Sequence, residues 1–411
     1  MLSKLCAVEA AVRQIVKQRA RLFIVAVWAA SATLALAQDP QITLAPPLVP
    51  FNPVELPNGK VTRFSFPSAW ETPFTENQNV PIHILVPASA KPLPVVVILH
   101  YWGAPDLKAE NDLAQKLADD GIASVIMELP FHLSRAPKGT GSGELAIQPD
   151  PEKLKAMMIQ AVWDVRRTID WIETRPEFDK TKIGLSGTSL GAIVGSMAFA
   201  VEPRIDAYCS LLGGADLADT IWSSSRLATE REKLRRNHWT REKLVDALKE
   251  IEPTEYIRSD ESRPAYLIAA RYDTVVPARS YDALRLALPH MKTMWLETGH
   301  YGGFVVQSGV FRSVAKFFAQ SLNGEVFTPP SRLYAPTFRI GAPVNLEDGF
   351  QVGIGLDIWK FDDEGRGFAT VFITPKGPQA FIGMKIGSGL AAGVTVLPRK
   401  TTLGILWSFV L

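Results

Sequence analysis

The chain has 411 residues, 47% of them hydrophobic, and 44 Lys and Arg against 42 Asp and Glu leave a formal charge of +2. That length exceeds one average domain and that apolar share supports a sizeable buried core, which excludes a disordered chain. Near-neutral charge with no long basic block argues against nucleic acid as the main partner, and small or weakly charged ligands fit better.

Lys17, Arg19 and Arg21 precede an apolar stretch over residues 22–37, which ends Ala35-Leu36-Ala37 before Gln38-Asp39-Pro40. This is the layout of a secretory signal with an A-x-A cleavage site, so residues 1–37 are expected to be a signal peptide and the protein secreted or periplasmic. The apolar core is short for a spanning helix; retention as an uncleaved anchor is the alternative. Without the signal Cys209 is the one cysteine left, which excludes an internal disulfide and suits core packing on a strand.

Residues 38–79 hold Pro40, Pro46, Pro47, Pro50, Pro53 and Pro57 and read as an extended or wrapping arm. Strands are then expected at 80–86 and 95–99. The second is a Val-Val-Val-Ile-Leu run of the kind found where both sheet faces are covered. A helix over 108–120 is stopped by Gly121, and a buried strand follows at 122–127. Asp150-Pro151-Glu152 combines an N-cap with proline at the first helical position, and the apolar spacing from Leu154 to Ile172 makes one face of a helix. Further strands are expected at 182–186, 205–212, 265–270 and 293–296, and a final amphipathic helix runs to Leu322 before Asn323-Gly324. Alternating strand and helix imply an α/β domain over 80–324, with a mostly parallel sheet and helices on both faces. An insertion at about 216–262 carries charged residues at helical spacing over 226–250, read as a solvated face on a cap.

From residue 325 the pattern turns to alternation, at 350–361, 367–375, 379–386 and 403–411, which predicts a small C-terminal antiparallel β module of four or five strands. Its alternation, glycines and aromatic-rich last strand also resemble a segment of an outer-membrane barrel, in a stretch too short to close a barrel from one chain. Envelope association through this module is the corresponding expectation.

Gly187-Thr188-Ser189-Leu190-Gly191 sits where the strand at 182–186 gives way to a helix rich in small residues. A serine at the centre of G-x-S-x-G occupies a strained corner, and flanking glycines let backbone approach without Cβ clashes. Ser189 is thus the candidate nucleophile and the N–H of Leu190 the candidate oxyanion donor. Serine needs a base held by a third group. Asp273 follows the strand at 265–270, and His300 follows the strand at 293–296 between glycines. Both lie where open parallel sheets keep their sites. Asp216, after Gly213-Gly214, is the competing acid.

On Ser189, Asp273 and His300 in that chain order, with His100-Tyr101-Trp102-Gly103 after the strand at 95–99 and Val276-Pro277 after the acid, the chain resembles the α/β-hydrolase superfamily over residues 80–320, nearest to the dienelactone hydrolase and esterase-like branch. The resemblance implies Ser189 as nucleophile, His300 as general base then acid, Asp273 as imidazole orienter, and the N–H groups of Leu190 and Trp102 as oxyanion donors, with Tyr101 as second choice for the latter. Dienelactone hydrolases proper carry cysteine at the elbow; serine implies ordinary ester hydrolysis.

Tyr101 and Trp102 line an acyl pocket or pack beneath the loop, and Tyr301 is a candidate substrate contact. His132 and Arg135, beyond the strand at 122–127, either border the cleft or are surface turn residues. Residues 139–143 are glycine-rich without the strand-to-helix context of a phosphate loop and suit a mobile loop. No H-E-x-x-H, paired C-x-x-C or EF-hand pattern occurs, so no metal or cofactor is expected. The leading expectation is an exported serine hydrolase acting on a small-molecule carboxylic ester. The alternatives are a peptidase or carbon-carbon hydrolase on the same residues, or a non-catalytic envelope-associated binding protein.

Overall fold

Residues 93–99, Leu-Pro-Val-Val-Val-Ile-Leu, form β3 (Leu93–Leu99), and its last five side chains are shielded from solvent, as a strand covered on both faces requires. In the computed structural model, residues 39–52, 62–330, 337–345, 349–360, 367–387, 389–397 and 400–410 are described. The expected signal peptide at 1–37 lies outside them. Residues 1–44 form a unit of their own, in which Gln41–Thr43 is a single 3-10 turn, and residues 45–411 form a second.

Around β3 the second unit builds an eight-stranded sheet from β1 (Thr62–Pro67), β2 (Asn79–Leu85), β4 (Ala123–Met127), β5 (Phe178–Thr188), β6 (Ala207–Leu211), β7 (Ala265–Ala270) and β8 (Lys292–Leu296). The spatial order is β1-β2-β4-β3-β5-β6-β7-β8. β2 runs antiparallel to both of its neighbours, β1 and β4, and β4 to β8 are parallel to β3. The expectation of an arm through residue 79 is corrected here: Phe64 and Phe66 alternate with polar residues in β1, and that period of two pairs it with β2 despite the prolines before it.

Helices cover both faces. α1 (Lys108–Asp119) and α8 (Gln307–Ser321) bury Leu113, Leu117, Phe311 and Phe318 with Val96 and Ile98 of β3. Val95 and Val97 point the other way, where α2 (Pro151–Glu173) and α3 (Leu190–Val201) pack against β5 and β3. The Asp150 side chain accepts the Glu152 N–H at 3.1 Å, and Pro151 opens α2. Between β6 and β7 the insertion forms α4 (Leu217–Ser223), α5 (Ala228–Arg236) and α6 (Arg241–Leu248), while α7 (Ala278–Ala287) follows β7.

The C-terminal module comprises β9 (Thr337–Asn345), β10 (Gly349–Phe350), β11 (Gly353–Lys360), β12 (Gly367–Thr374), β13 (Gly377–Gly387), β14 (Leu390–Leu397) and β15 (Lys400–Val410), all antiparallel. β15 pairs back onto β9, with Trp407 opposite Ala342, so the module closes. This corrects the expectation of too few strands for closure. Glycines permit the narrow bore: a Cβ on Gly355 would meet Thr370 Cγ2 at 2.6 Å, and one on Gly341 would meet Ser408 Cβ at 2.5 Å. Inside, Phe368, Phe372, Phe381, Ala391 and Leu406 pack together. They share the interior with a bidentate pair, Arg339 Nε to Asp357 Oδ1 at 2.6 Å and Nη2 to Oδ2 at 2.9 Å. Outside, Ile354, Ile358, Ile373, Met384, Ile386, Leu403 and Trp407 are exposed.

Candidate active site

Ser189 is the single residue between β5 and α3, with φ 53° and ψ −112°. A non-glycine residue there is strained by about 1–3 kcal/mol and needs surrounding contacts to hold it. The Ser189 N–H donates to Leu211 O of β6 at 2.8 Å. Gly191 lets the start of α3 press on the end of β3, since a Cβ would meet the carbonyl oxygens of Leu99 and His100 at 2.5 Å. The elbow therefore lies directly against the loop at 100–103.

His300 Nε2 is 3.1 Å from Ser189 Oγ, and His300 Nδ1 is 2.7 Å from Asp273 Oδ2. Asp273 Oδ1 accepts the N–H groups of Val275 at 2.8 Å and Val276 at 2.9 Å, and Oδ2 also accepts the Tyr281 hydroxyl at 2.5 Å. An acceptor-only carboxylate makes Nδ1 the protonated nitrogen, which leaves Nε2 to accept the serine proton. Burial and then the Asp273 charge push the Tyr281 phenol well up, so it stays a donor. The order hydroxyl, imidazole, carboxylate suits abstraction of the Ser189 proton as a bond to carbon forms.

The backbone N–H groups of Leu190, Tyr101 and Trp102 have no acceptor among the described residues, so donors remain open beside Ser189 on both the helix and the loop. The loop is fixed from several directions. His100 Nδ1 donates to Tyr101 O at 3.0 Å, its Nε2 accepts the Leu129 N–H at 2.9 Å, and Trp102 Nε1 donates to Gly143 O at 2.8 Å. Burial lowers the His100 pKa to about 4, which keeps the ring neutral in this role.

The glycine-rich loop is a clasp on this loop, which corrects the reading of it as mobile. The Gly143 N–H donates to Phe131 O at 2.8 Å, Ser142 Oγ donates to Ala104 O at 2.7 Å, and a Cβ on Gly143 would meet Gly103 N at 2.8 Å. His132 and Arg135 border no cleft; both are fully buried. The His132 ring packs edge-on to His100 at 4.9 Å, and burial lowers its pKa to about 3. Arg135 donates to Asp164 Oδ2 and to the Glu128 carbonyl, each at 2.8 Å. The turn Leu133–Arg135 after β4 packs against β2 and the turn Thr75–Gln78, where Arg135 also donates to the Asn77 carbonyl at 3.1 Å, a fold that a list of polar residues does not signal. Asp216 sits apart from His300: it caps α4 through the Asp219 N–H at 3.0 Å and pairs with Arg241 at 3.2 Å.

A cleft of about 920 Å³ opens on the His300 side, lined by Arg226, His300 and Tyr301 and, from the β module, by Phe368, Lys385 and Leu390. Tyr101 lies on the other side, its ring 5.9 Å from Phe304, and lines a small apolar pocket of about 50 Å³ with Thr188 and Leu212. Three participants escaped the sequence reading. Tyr281 carries no signal, being one tyrosine on an amphipathic helix, while Arg226 was absorbed into the charged insertion and the β module was read as a separate appendage. Among the described residues no group of three His, Cys, Asp or Glu side chains could hold a metal ion.

The model of the S15 family, described as X-Pro dipeptidyl-peptidase, matches residues 77–320. An uncharacterized protein of Mycobacterium tuberculosis strain H37Rv is 34% identical over 155 residues, which cover 36% of this chain and 35% of that protein. The match thus spans about a third of the length of that curated relative, at 35%. The crystal structure of 2,6-dihydroxy-pseudo-oxynicotine hydrolase is similar with a TM-score of 0.45 at 19% identity, covering 70% of this chain and 72% of that one. The acylaminoacyl peptidase of Pyrococcus horikoshii has a TM-score of 0.49 at 14% identity, covering 69% and 44%.

Proposed function

Because this chain belongs to the X-Pro dipeptidyl-peptidase (S15) family of α/β-hydrolases, we propose that it is a serine hydrolase which cleaves carboxylic esters through an acyl-enzyme on Ser189. Ser189 Oγ attacks the carbonyl carbon while His300 Nε2 takes its proton. Asp273 holds the ring and stabilises the imidazolium, and the N–H groups of Leu190 and Trp102, or Tyr101, receive the oxyanion. His300 then returns the proton to the leaving alcohol, and water repeats the sequence on the acyl group. The observation that carries this reading is the continuous chain of two hydrogen bonds, 3.1 Å and 2.7 Å, from an elbow serine to a clamped carboxylate.

The carboxylate census favours an ester over an N-terminal dipeptide. An enzyme that releases dipeptides must hold the free α-ammonium group two residues from the scissile bond. Asp273 is the carboxylate among the residues that line the cleft, and it is already engaged by His300, Tyr281 and two N–H groups. The secretory pattern before Gln38 supports an exported enzyme. The test is turnover of aryl and alkyl esters with labelling by a fluorophosphonate probe: Ser189→Ala is expected to lose both, and a mutant as active as wild type would refute the reading.

A second role, association with a lipid surface, is favoured by the outer face of the β module. Its interior is already filled by the apolar cluster and the pair of Arg339 and Asp357, yet its outer face still presents large apolar side chains such as Ile373 and Leu403 to solvent. A closed sheet with apolar residues outside is an arrangement that hydrocarbon or its interface accommodates. Among the described residues no helix is long and apolar enough to cross a membrane. Co-sedimentation of the full chain with phospholipid vesicles tests this role.

A further inference from the structure

Arg226 stands at the rim of the cleft between the two groups that flank the reacting atoms. Its guanidinium lies 4.3 Å over the Trp102 ring, Nη1 is 3.3 Å from the Tyr301 hydroxyl, and Nη2 is 3.4 Å from the Trp102 carbonyl. Trp102 belongs to the loop that offers oxyanion donors, and Tyr301 adjoins His300. The backbone before Arg226 is tied to the acid's loop: the Ser225 N–H donates to Thr274 O at 2.7 Å, and the hydroxyls of Ser225 and Thr274 are 3.0 Å apart. Arg226 is thereby held in register with Asp273 although it belongs to the insertion.

The contacts of Arg226 are neutral, and among the described residues no carboxylate forms an ion pair with it. Two other arginines of the cleft are neutralised locally, Arg271 by Glu297 at 2.8 Å and Arg339 by the bidentate Asp357. Lys385 of the β module also lines the cleft, its Nζ 5.6 Å from the centre of the Tyr272 ring. Nη1 and Nη2 of Arg226 each make one long contact with a neutral oxygen, and the five N–H groups of a guanidinium leave further donors that match a carboxylate or phosphate. A guanidinium at the rim without a carboxylate partner also draws ligands of opposite charge toward the cleft.

We propose that this cleft selects esters bearing an anionic group, a carboxylate or its equivalent, and that Arg226 is the specificity-determining residue that receives it. The inference rests on the ester-hydrolase reading and adds the substrate class. Two matched pairs of substrates test it and separate the two sides of the scissile bond. Mono-p-nitrophenyl adipate against p-nitrophenyl hexanoate puts the anion on the acyl side. For the leaving-group side, 4-acetoxybenzoate is compared with 4-acetoxybenzamide.

With each rate normalised to the ester's own hydroxide-catalysed hydrolysis, wild type is expected to favour the anionic member of at least one pair by about tenfold in kcat/KM, a preference that shrinks as salt rises. Arg226→Gln is expected to bring that ratio to near unity, and Arg226→Lys to retain part of it. A wild-type ratio of one or less in both pairs overturns the inference, as does an Arg226→Gln variant that lowers both members of a pair equally. Neutral esters still cleaved in that case leave the hydrolase reading standing, whereas a chain that cleaves none of the four esters overturns that reading and this inference together.

Discussion

Asp273 and Tyr281 share one hydrogen bond across the loop that joins β7 to α7, and that bond falls on the same carboxylate oxygen that faces His300. The acid is thus held from both of its oxygens before the imidazole meets it. Asp273→Asn would place a donor against Nδ1–H and force the wrong tautomer, so kcat is expected to fall by about 10⁴ with the fold intact. Tyr281→Phe removes a charge-assisted bond of about 1.5–3 kcal/mol. Denaturant unfolding should register that loss, and kcat should fall more than KM changes.

The strain at Ser189 separates stability from activity. Glycine adopts a positive φ freely, whereas alanine keeps the Cβ that makes φ 53° costly. Both Ser189→Gly and Ser189→Ala are expected to be inactive, but the glycine variant should be more stable than the alanine variant by about 1 kcal/mol. Urea midpoints of the two variants check it, and equal midpoints would mean that the elbow is unstrained.

Glu110 of α1 is buried, one of its carboxylate oxygens has no partner, and burial raises its pKa from 4.5 to about 7. Below pH 4.5 the group is protonated in folded and unfolded chains alike. Between 4.5 and 7 the unfolded chain releases its proton first, so stability falls as pH rises, and the loss is complete above 7. The difference amounts to about 3 kcal/mol. Glu110→Gln should therefore gain stability at pH 8 and gain little at pH 4.5, readable as thermal midpoints across a pH series.

Arg135 and Asp164 form an ion pair with both side chains fully buried. Arg135→Met strands the Asp164 carboxyl, whose pKa burial already raises, and should cost about 3–5 kcal/mol. Arg135→Met with Asp164→Leu should recover most of that loss, because an apolar pair removes the desolvation that the stranded acid suffers. A double-mutant cycle by urea unfolding measures the coupling, and additive losses would contradict it.

Ile373 and Leu403 project from the β module with 73% and 71% of their surface exposed. Lysine at either position should leave ester turnover and thermal midpoint unchanged while lowering co-sedimentation with phospholipid vesicles several-fold. Unchanged sedimentation would remove the lipid-surface role.

Residues that obey local rules were legible before any coordinates. The Val-Val-Val-Ile-Leu run, the Asp-Pro start of α2 and the glycines around Ser189 each carry their own reason for the backbone they adopt, and together they spell out the parallel sheet and its elbow. Ser189, His300 and Asp273 were legible for the same reason, since each follows the C-terminal end of a strand in a parallel sheet and all such ends share one edge. The seven-stranded module was under-read because a closed sheet depends on β15 meeting β9, a pairing that runs from Gly404 with Asn345 to Val410 with Arg339, between segments far apart in the chain, which no periodicity records.

Amino-acid order alone thus determined the α/β architecture, the strained serine corner and the three side chains that edge brings together, because period, turn chemistry and strand ends act over a few residues. Only the tertiary structure decided that His132 and Arg135 are buried, that the glycine loop clasps the loop at 100–103, that Tyr281 steadies the acid and that Arg226 reaches the cleft. Those outcomes depend on which distant surfaces pack together and which charges are left without a partner once they do, and packing is a property of the whole folded chain.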